Sequence, residues 1–257
     1  MSAALTGFVR RWLARSPIGR WPVRVRGGVA EGAKWTLFPW TSYWRGGHEP
    51  DLQACLLGLG DLRGWSCWDV GAHLGLYSVG LALRVGPSGQ VAAFEPNSDS
   101  FARLEHHRRL NRLDWLKTYP CAASDRDGSG QLLTADSWDS TTTHLPYLGE
   151  DPAAAVGSRI VPVRSLDGLV AAGEIRLPQL VKIDAEGHGA AVLRGMAASL
   201  RAARPRVIMG FHDRSEVEAA AAILEPLGYG RVPIGPPASD PDEMIGMDFL
   251  FTPRPGR

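Results

Sequence analysis

WDVGAHLGLYS, residues 68–78, followed by QVAAFEPN, residues 90–97, decides the fold of this chain. The first stretch reads as a buried strand ending at Asp69, a turn through Gly71 and Gly75, and the opening of a helix. The second reads as the next parallel strand, over residues 91–94, with Glu95 at its carboxyl end. Open α/β sheets place ligand contacts at the carboxyl ends of their strands. A carboxylate there accepts hydrogen bonds from both hydroxyls of a ribose. The two stretches together form a nucleotide-binding strand-turn-helix unit and its ribose acid.

The turn separates two cofactor classes. A dinucleotide asks for G-x-G-x-x-G, so that backbone presses against a pyrophosphate at a helix N-terminus. Here the middle glycine is missing: Ala72, His73 and Leu74 stand between Gly71 and Gly75. S-adenosylmethionine carries no phosphate, only an amino-acid end, a sulfonium and an adenosine, and needs close approach at Gly71 without a phosphate nest. A lone glycine turn is also what any tight strand-to-helix connection uses; the combination with Asp69 and Glu95 carries the reading. An NAD-dependent oxidoreductase is disfavoured by the same missing glycine.

Elsewhere helix and strand patterns alternate, the signature of a doubly wound sheet. Residues 101–111 read as a charged helix, and residues 115–123 lead into a strand. Residues 180–183 form a strand that is apolar apart from Lys182, and residues 190–200 an apolar helix. Residues 206–209 are a strand, 216–227 a helix ending at Gly228, and 247–254 a short apolar strand closed by proline. Ahead of this unit, WPVRVRGGVAEGAKWTLF, residues 21–38, predicts a hairpin turning at Gly27 and Gly28. The expected organisation is a basic, Trp-rich extension or cap over residues 1–60 and a cofactor-binding domain over residues 61–257.

Five motifs resemble, in order, those of the FkbM-type S-adenosylmethionine-dependent methyltransferases: GGHEP at 46–50, DVGAHLGLYS at 69–78, FEPN at 94–97, AASDRDG at 122–128 and VKIDAEGHGAAVLRG at 181–195. The resemblance implies the Rossmann-like, seven-stranded sheet of class I methyltransferases, its last strand inserted antiparallel, with an N-terminal helix/hairpin extension. It implies S-adenosylmethionine as cofactor, held by Glu49, by Asp69, Gly71, Ala72, His73 and Gly75 of the turn, and by Tyr77 and Ser78 of the helix. Glu95, Pro96 and Asp184 complete that set, with Ser124 and Asp125 near the adenine. Asp127 and Gly128 would form a turn in any protein.

KIDAEGHG, residues 182–189, is the candidate centre of the chemistry. A strand that stops at Asp184 and turns through Glu186 and Gly187 aims two carboxylates and His188 into the crevice. Methyl transfer to a hydroxyl is an in-line displacement that asks for positioning and a proton acceptor. The catalytic set is Asp184, beside the cofactor's positive charge, with Glu186, His188 or His212 taking the proton; imidazole suits that task because it titrates near neutrality. Glu186 as a helix cap and His188 as a surface residue are the structural alternatives. Two departures stand out: Gly189 where relatives carry a second glutamate, and Gly210 where they carry an acid in the next strand. They motivate a second reading, a catalytically inactive cofactor-binding homologue. His73 stands where asparagine is usual. Asp184, Glu186, His188, His212 and Asp213 offer oxygen and nitrogen donors, but no H-x-x-x-H or C-x-x-C spacing exists and no metal is expected.

The expected activity is O-methylation of a hydroxyl of a sugar, glycan or specialised metabolite, an acceptor class taken from the resemblance. With 257 residues, 44% of them hydrophobic, and a net charge of +1, the chain makes no electrostatic case for a nucleic-acid partner. Cys55, Cys67 and Cys121 are odd in number and read as reduced thiols. No apolar run reaches the roughly 20 residues of a spanning helix and no secretory core is seen, so a cytoplasmic protein is expected. Six arginines and no acid lie in residues 1–30. They suggest a short amphipathic helix packed on the domain, with weak peripheral membrane contact through residues 1–26 as the alternative. Five tryptophans, Trp12, Trp21, Trp35, Trp40 and Trp44, precede the nucleotide unit and are read mainly as cap packing. Residues 132–158 are a candidate substrate loop, or simply a surface one.

Overall fold

The structure is a computed structural model that describes residues 21–36, 43–134, 143–144, 157–237 and 240–254. The expectations for residues 1–20, for Trp40 and for most of the 132–158 loop lie outside them. In chain order, strands Pro22–Arg24 (β1) and Lys34–Thr36 (β2) precede helix Pro50–Gly58 (α1). Strand Ser66–Val70 (β3), helix Leu76–Val85 (α2), strand Gln90–Phe94 (β4), helix Ser98–Leu110 (α3) and strand Leu116–Tyr119 (β5) follow. Four strands come next, Ala122–Ser124 (β6), Gly128–Thr134 (β7), Thr143–His144 (β8) and Gly157–Ser165 (β9), then helix Leu166–Ala171 (α4) and strand Leu180–Ile183 (β10). Helices Gly189–Gly195 (α5) and Ala197–Ala203 (α6), strand Arg206–Gly210 (β11), helix Arg214–Leu224 (α7) and strands Tyr229–Ile234 (β12) and Asp248–Pro253 (β13) complete the described chain.

Seven strands form one sheet in the order β12-β13-β11-β10-β3-β4-β5. β13 runs antiparallel to β11 and β12, while β11, β10, β3, β4 and β5 pair in parallel. This is the doubly wound, mostly parallel sheet of class I methyltransferases, with the inserted last strand. Side-chain alternation explains why both faces are covered. Cys67, Val91, Ala93, Leu180 and Ile208 face one buried cluster with Val79, Leu81 and Val85 of α2 and Leu104 of α3. Trp68, Val70, Ala92, Val181, Ile183, Val207 and Met209 face the other, against Leu166, Val192, Leu200 and Val217 of α4 to α7.

Several local expectations change. The hairpin reverses beyond Gly27 and Gly28: Gly32 N donates to Val25 O and Glu31 N to Gly28 O. Gly28 serves close approach instead. A Cβ on Gly28 would lie 1.7 Å from Gln53 Oε1, the atom that accepts from Val29 N and ties α1 to the hairpin. The stretch 115–123 splits into β5 and β6 around Pro120, which has no N–H to continue the ladder. β6 instead joins a second sheet, β6-β9-β7-β8, that the pattern did not reveal. The 190–200 helix breaks at Met196 (φ −121°), and β12 was not foreseen. Asn97 caps α3, accepting from Asp99 N and Ser100 N, so this helix starts three residues earlier than its charge pattern suggested.

The hairpin is bonded into the main core. Trp35 is fully buried and stacks on His107 of α3 at 3.6 Å between ring centroids. His107 in turn bridges Thr36 Oγ1 and Leu74 O, each at 2.8 Å. Trp35→Ala is expected to cost about 3–5 kcal/mol, and urea unfolding followed by circular dichroism checks it. A single shifted transition is the expected trace; a separate early phase would mean that the hairpin unfolds on its own.

Candidate active site

A cavity of about 280 Å³ opens at the carboxyl ends of β3, β4 and β10, where the parallel strands aim their last side chains. The turn after β3 forms its floor. Gly71 and Ala72 both donate to Phe94 O at 3.0 Å, drawing the turn onto the end of β4. Gly71 (φ +75°) passes so close to β10 that a Cβ there would lie 1.8 Å from Asp184 O. Only glycine permits both the backbone angle and the approach.

Glu95 is buried at the mouth of β4, its Oε1 accepting from Asn97 N at 2.8 Å and its Oε2 from His73 N at 2.7 Å. Burial pushes its carboxyl up to about 7, although both N–H donors oppose that rise. A second carboxylate, Glu49, enters from the residue before α1 and accepts from Tyr77 Oη at 2.5 Å. Burial works against its charge, but the bonds from His48 and Tyr77 keep it below the usual glutamate range. Tyr43 Oη lies 3.2 Å from His73 Nδ1, closing this wall. Phe94, Cys121, Ala122, Ala123 and Leu132 supply an apolar wall opposite.

Strand alternation builds the charged end. Lys182 lies directly across from Asp69 in the β10–β3 register, and Asp184, two residues on, shares its face. The Lys182 ammonium, buried and 5.0 Å from the Tyr77 ring centroid, sits 3.1 Å from Asp184 Oδ2 and 3.8 Å from Asp69 Oδ1. Burial would raise the Asp184 carboxyl, yet Lys182 and His212 hold it well below the usual carboxylate range. Asp69 also accepts from Ser78 Oγ at 2.5 Å.

The two histidines are driven apart. His212 Nε2 is 3.4 Å from Asp184 Oδ1 and 3.6 Å from Glu186 Oε2, while its Nδ1 is 3.2 Å from Glu216 Oε2. Burial opposes its charge, but these carboxylates raise it to about 10. His188 precedes α5 with Nε2 2.9 Å from Ser124 Oγ, and burial lowers its pKa. At neutral pH one ring is an imidazolium and the other a neutral imidazole. Asp184, Glu186 and His212 place ligand atoms within 4.8 Å of one another, the spacing a cation would need; here they form an ion-paired network.

Of the residues singled out in the sequence, Glu49, Gly71, Ala72, His73, Tyr77, Glu95 and Pro96 line the cavity, as do Asp184, Glu186, His188 and His212. Asp69, Gly75, Ser78, Ser124 and Asp125 do not line it. Asp69 and Ser78 lie behind it under Lys182, Gly75 packs against Leu104, Ser124 meets His188, and Asp125 pairs with Arg194 at 3.3 Å. Glu186 (φ +44°) is not the cap of α5, since His188 takes that place. Lys182, Tyr43, Asn97 and the apolar wall line the cavity without having been given a site role from the sequence. A lysine inside an apolar strand was the available signal for the first, and an asparagine ahead of a charged helix for the third.

A family model described as the methyltransferase FkbM domain matches residues 69–231. Hexuronic acid methyltransferase AglP of Haloferax volcanii is 32% identical over 135 residues, 52% of this chain and 51% of that protein. The chain thus spans about half the length of this curated relative. The crystal structure of methyltransferase FkbM from Methylobacillus flagellatus KT aligns with a TM-score of 0.52 at 16% identity, over 76% of this chain and 45% of that one, a likeness of fold.

Glu95 yields a pH test of ligand contact. Its pKa of about 7 is raised above the ordinary 4.5, so the carboxylate that a diol would donate to is lost as pH falls through 7. Affinity for S-adenosylhomocysteine is expected to weaken about tenfold per pH unit below that point, and to lose this slope in Glu95→Gln. Calorimetric titration across the range checks it, and a flat wild-type profile would remove Glu95 from the ligand's contacts.

Proposed function

The chain belongs to the FkbM methyltransferase family, and from that premise we propose that it transfers the methyl group of S-adenosylmethionine to a hydroxyl of a sugar or glycan. A hydroxylated specialised metabolite is the neighbouring acceptor class. The observation that carries the reading is the cavity itself. It combines a backbone-held acid for a diol, carboxylates at one end for a cation, and an apolar wall for a flat ring.

When bound, S-adenosylmethionine would supply a methyl group already activated by its sulfonium. The chain's own work is to bind, orient and accept a proton. Glu95 takes the ribose hydroxyls, Gly71 and Ala72 allow close approach, and Phe94 with Ala122, Ala123 and Leu132 receives the adenine. Glu49 and Asp184 offer negative charge to the amino and sulfonium groups. Neutral His188 accepts the acceptor's proton, with Glu186, which faces His212 at 3.6 Å, as the second base. Protonated His212 directs its Nε2 toward Asp184 and Glu186, holding both carboxylates in place at the acceptor end. Such a division follows the rule that paired groups with diverging pKa values mark the acid and the base.

The sugar assignment draws on the relative in Haloferax volcanii, whose name specifies a hexuronic acid. A hydroxyl rather than a carboxylate is the favoured acceptor atom, because Glu49, Asp184 and Glu186 already crowd the cavity with negative charge.

Methyl transfer from labelled S-adenosylmethionine, screened over hexuronate-containing and neutral oligosaccharides, tests the reading. Turnover on a sugar is expected, and His188→Ala should lower kcat on the order of 10²-fold or more. Tight cofactor binding with no methylation of any acceptor would favour the inactive homologue instead.

A further inference from the structure

Glu216 belongs to α7 and does not line the cavity, yet its side chain is almost wholly shielded from water, at 1% exposure. A carboxylate so placed is tolerated only when its oxygens are bonded. Oε1 accepts from Gly189 N at 2.7 Å, and Oε2 accepts from His212 N at 2.8 Å with His212 Nδ1 at 3.2 Å. One carboxylate thereby joins three elements: the start of α5, the end of β11 and the first turn of α7. The helix does not need it as a cap, because Asp213 Oδ1 already accepts from Glu216 N at 3.0 Å.

The room for this carboxylate comes from position 189. A Cβ on Gly189 would lie 2.8 Å from Glu216 Oε1 and 2.4 Å from Met209 Cε. Any side chain at that position would press on both the carboxylate and the methionine. Glycine at 189 and glutamate at 216 are therefore two halves of one arrangement.

We propose that Glu216 is the positioning residue of the site: from the space Gly189 leaves open, it grips His212 through Nδ1 and turns Nε2 toward Asp184 and Glu186. An imidazole bonded at one nitrogen has its tautomer and ring plane fixed, and the other nitrogen is presented to the reacting groups. Around His212 stand Asp184 of β10, Glu186 of the turn after it, Glu216 of α7 and Asp248 at the start of β13, the last also facing Lys182. Gly210 adds nothing from β11. Of these carboxylates only Glu216 bonds Nδ1. The catalytic consequence rests on the methyl-transfer reading; the geometry does not.

Ring-nitrogen NMR of the full chain tests both parts. In wild type, His212 is expected to lose its proton only as pH rises through about 10. In Glu216→Gln that midpoint should fall by about one to three units, with cooperative thermal melting retained. An unmoved midpoint in a folded Glu216→Gln protein would overturn the assignment. Should that variant fail to fold, Gly189→Ala keeps the glutamate but pushes its carboxylate aside, and the same fall in midpoint is expected; no fall overturns it. With an acceptor in hand, the alkaline limb of kcat should move down with the midpoint. A midpoint that moves while kcat and its pH profile stay fixed would sustain Glu216 as the holder of His212 and count against His212 in methyl transfer.

Discussion

One buried ammonium organises the charged end of this molecule. Lys182 Nζ lies between Asp69 and Asp184 because β3 and β10 pair in a register that sets residue 182 against residue 69. Without it, Asp69 and Asp184 would share a dry corner with like charge, and one of them would hold its proton. Burying an ion pair is costly in itself and is recovered only through good geometry and further bonds. Ser78 supplies one such bond to Asp69, and the Tyr77 ring covers the ammonium. Both residues come from the first turn of α2, so the helix that opens after the glycine turn also seals the pair. Asp184 is then left ionised at neutral pH, facing the cavity.

Backbone strain gathers at the same place. Among the described residues five non-glycine residues adopt left-handed angles, and Glu49, His73 and Glu186 of that set line the cavity. Such conformations persist only where surrounding contacts over-determine them. His73 is held by its N–H bond to Glu95 and its ring contact with Tyr43. Glu49 is held by Tyr77 and His48. His73 and Glu49 are thus each fixed by neighbouring side chains of the cavity wall, which preorganises that wall before any ligand arrives.

How much of this was legible in the sequence depended on whether the signal was local. The strand-turn-helix at 68–78, Glu95 after its strand and the Asp184 turn are each decided by a few adjacent residues, and all fall where their patterns pointed. β6 to β9 did not announce themselves, because β6 and β9 pair residues 41 apart in the chain, as in Ala122 with Val163, and β6 depends on Pro120 ending β5. The placement of Ser124 and Asp125 failed to show for a related reason. Gly195 of α5 packs onto Ser124 O, where a Cβ would come within 1.8 Å, and this contact between distant segments sends the two side chains to His188 and Arg194. The cavity wall is left to Ala122 and Ala123. Lys182 was visible as a break in an apolar strand, but its meaning lay in the register with β3, which sequence alone does not supply.

Gly189 and Gly210, where the resemblance led to an expectation of acids, show the same limit from the other side. Counted along the sequence, they are losses. In space each glycine has a carboxylate beside it: Glu216 Oε1 would lie 2.8 Å from a Cβ at 189, and Asp248 Oδ1 3.0 Å from one at 210. Asp248 reaches there because β13 pairs with β11 in a register that sets it against Gly210, and burial raises its pKa to about 6. Its proton is therefore held more tightly than that of Asp184, which Lys182 and His212 keep ionised. The antiparallel insertion of the last strand, a fold-level feature, thereby delivers a side chain to the edge of the charged network. Charge at a site is set by position in space, and a glycine in the chain can mark where a carboxylate from elsewhere has room to enter.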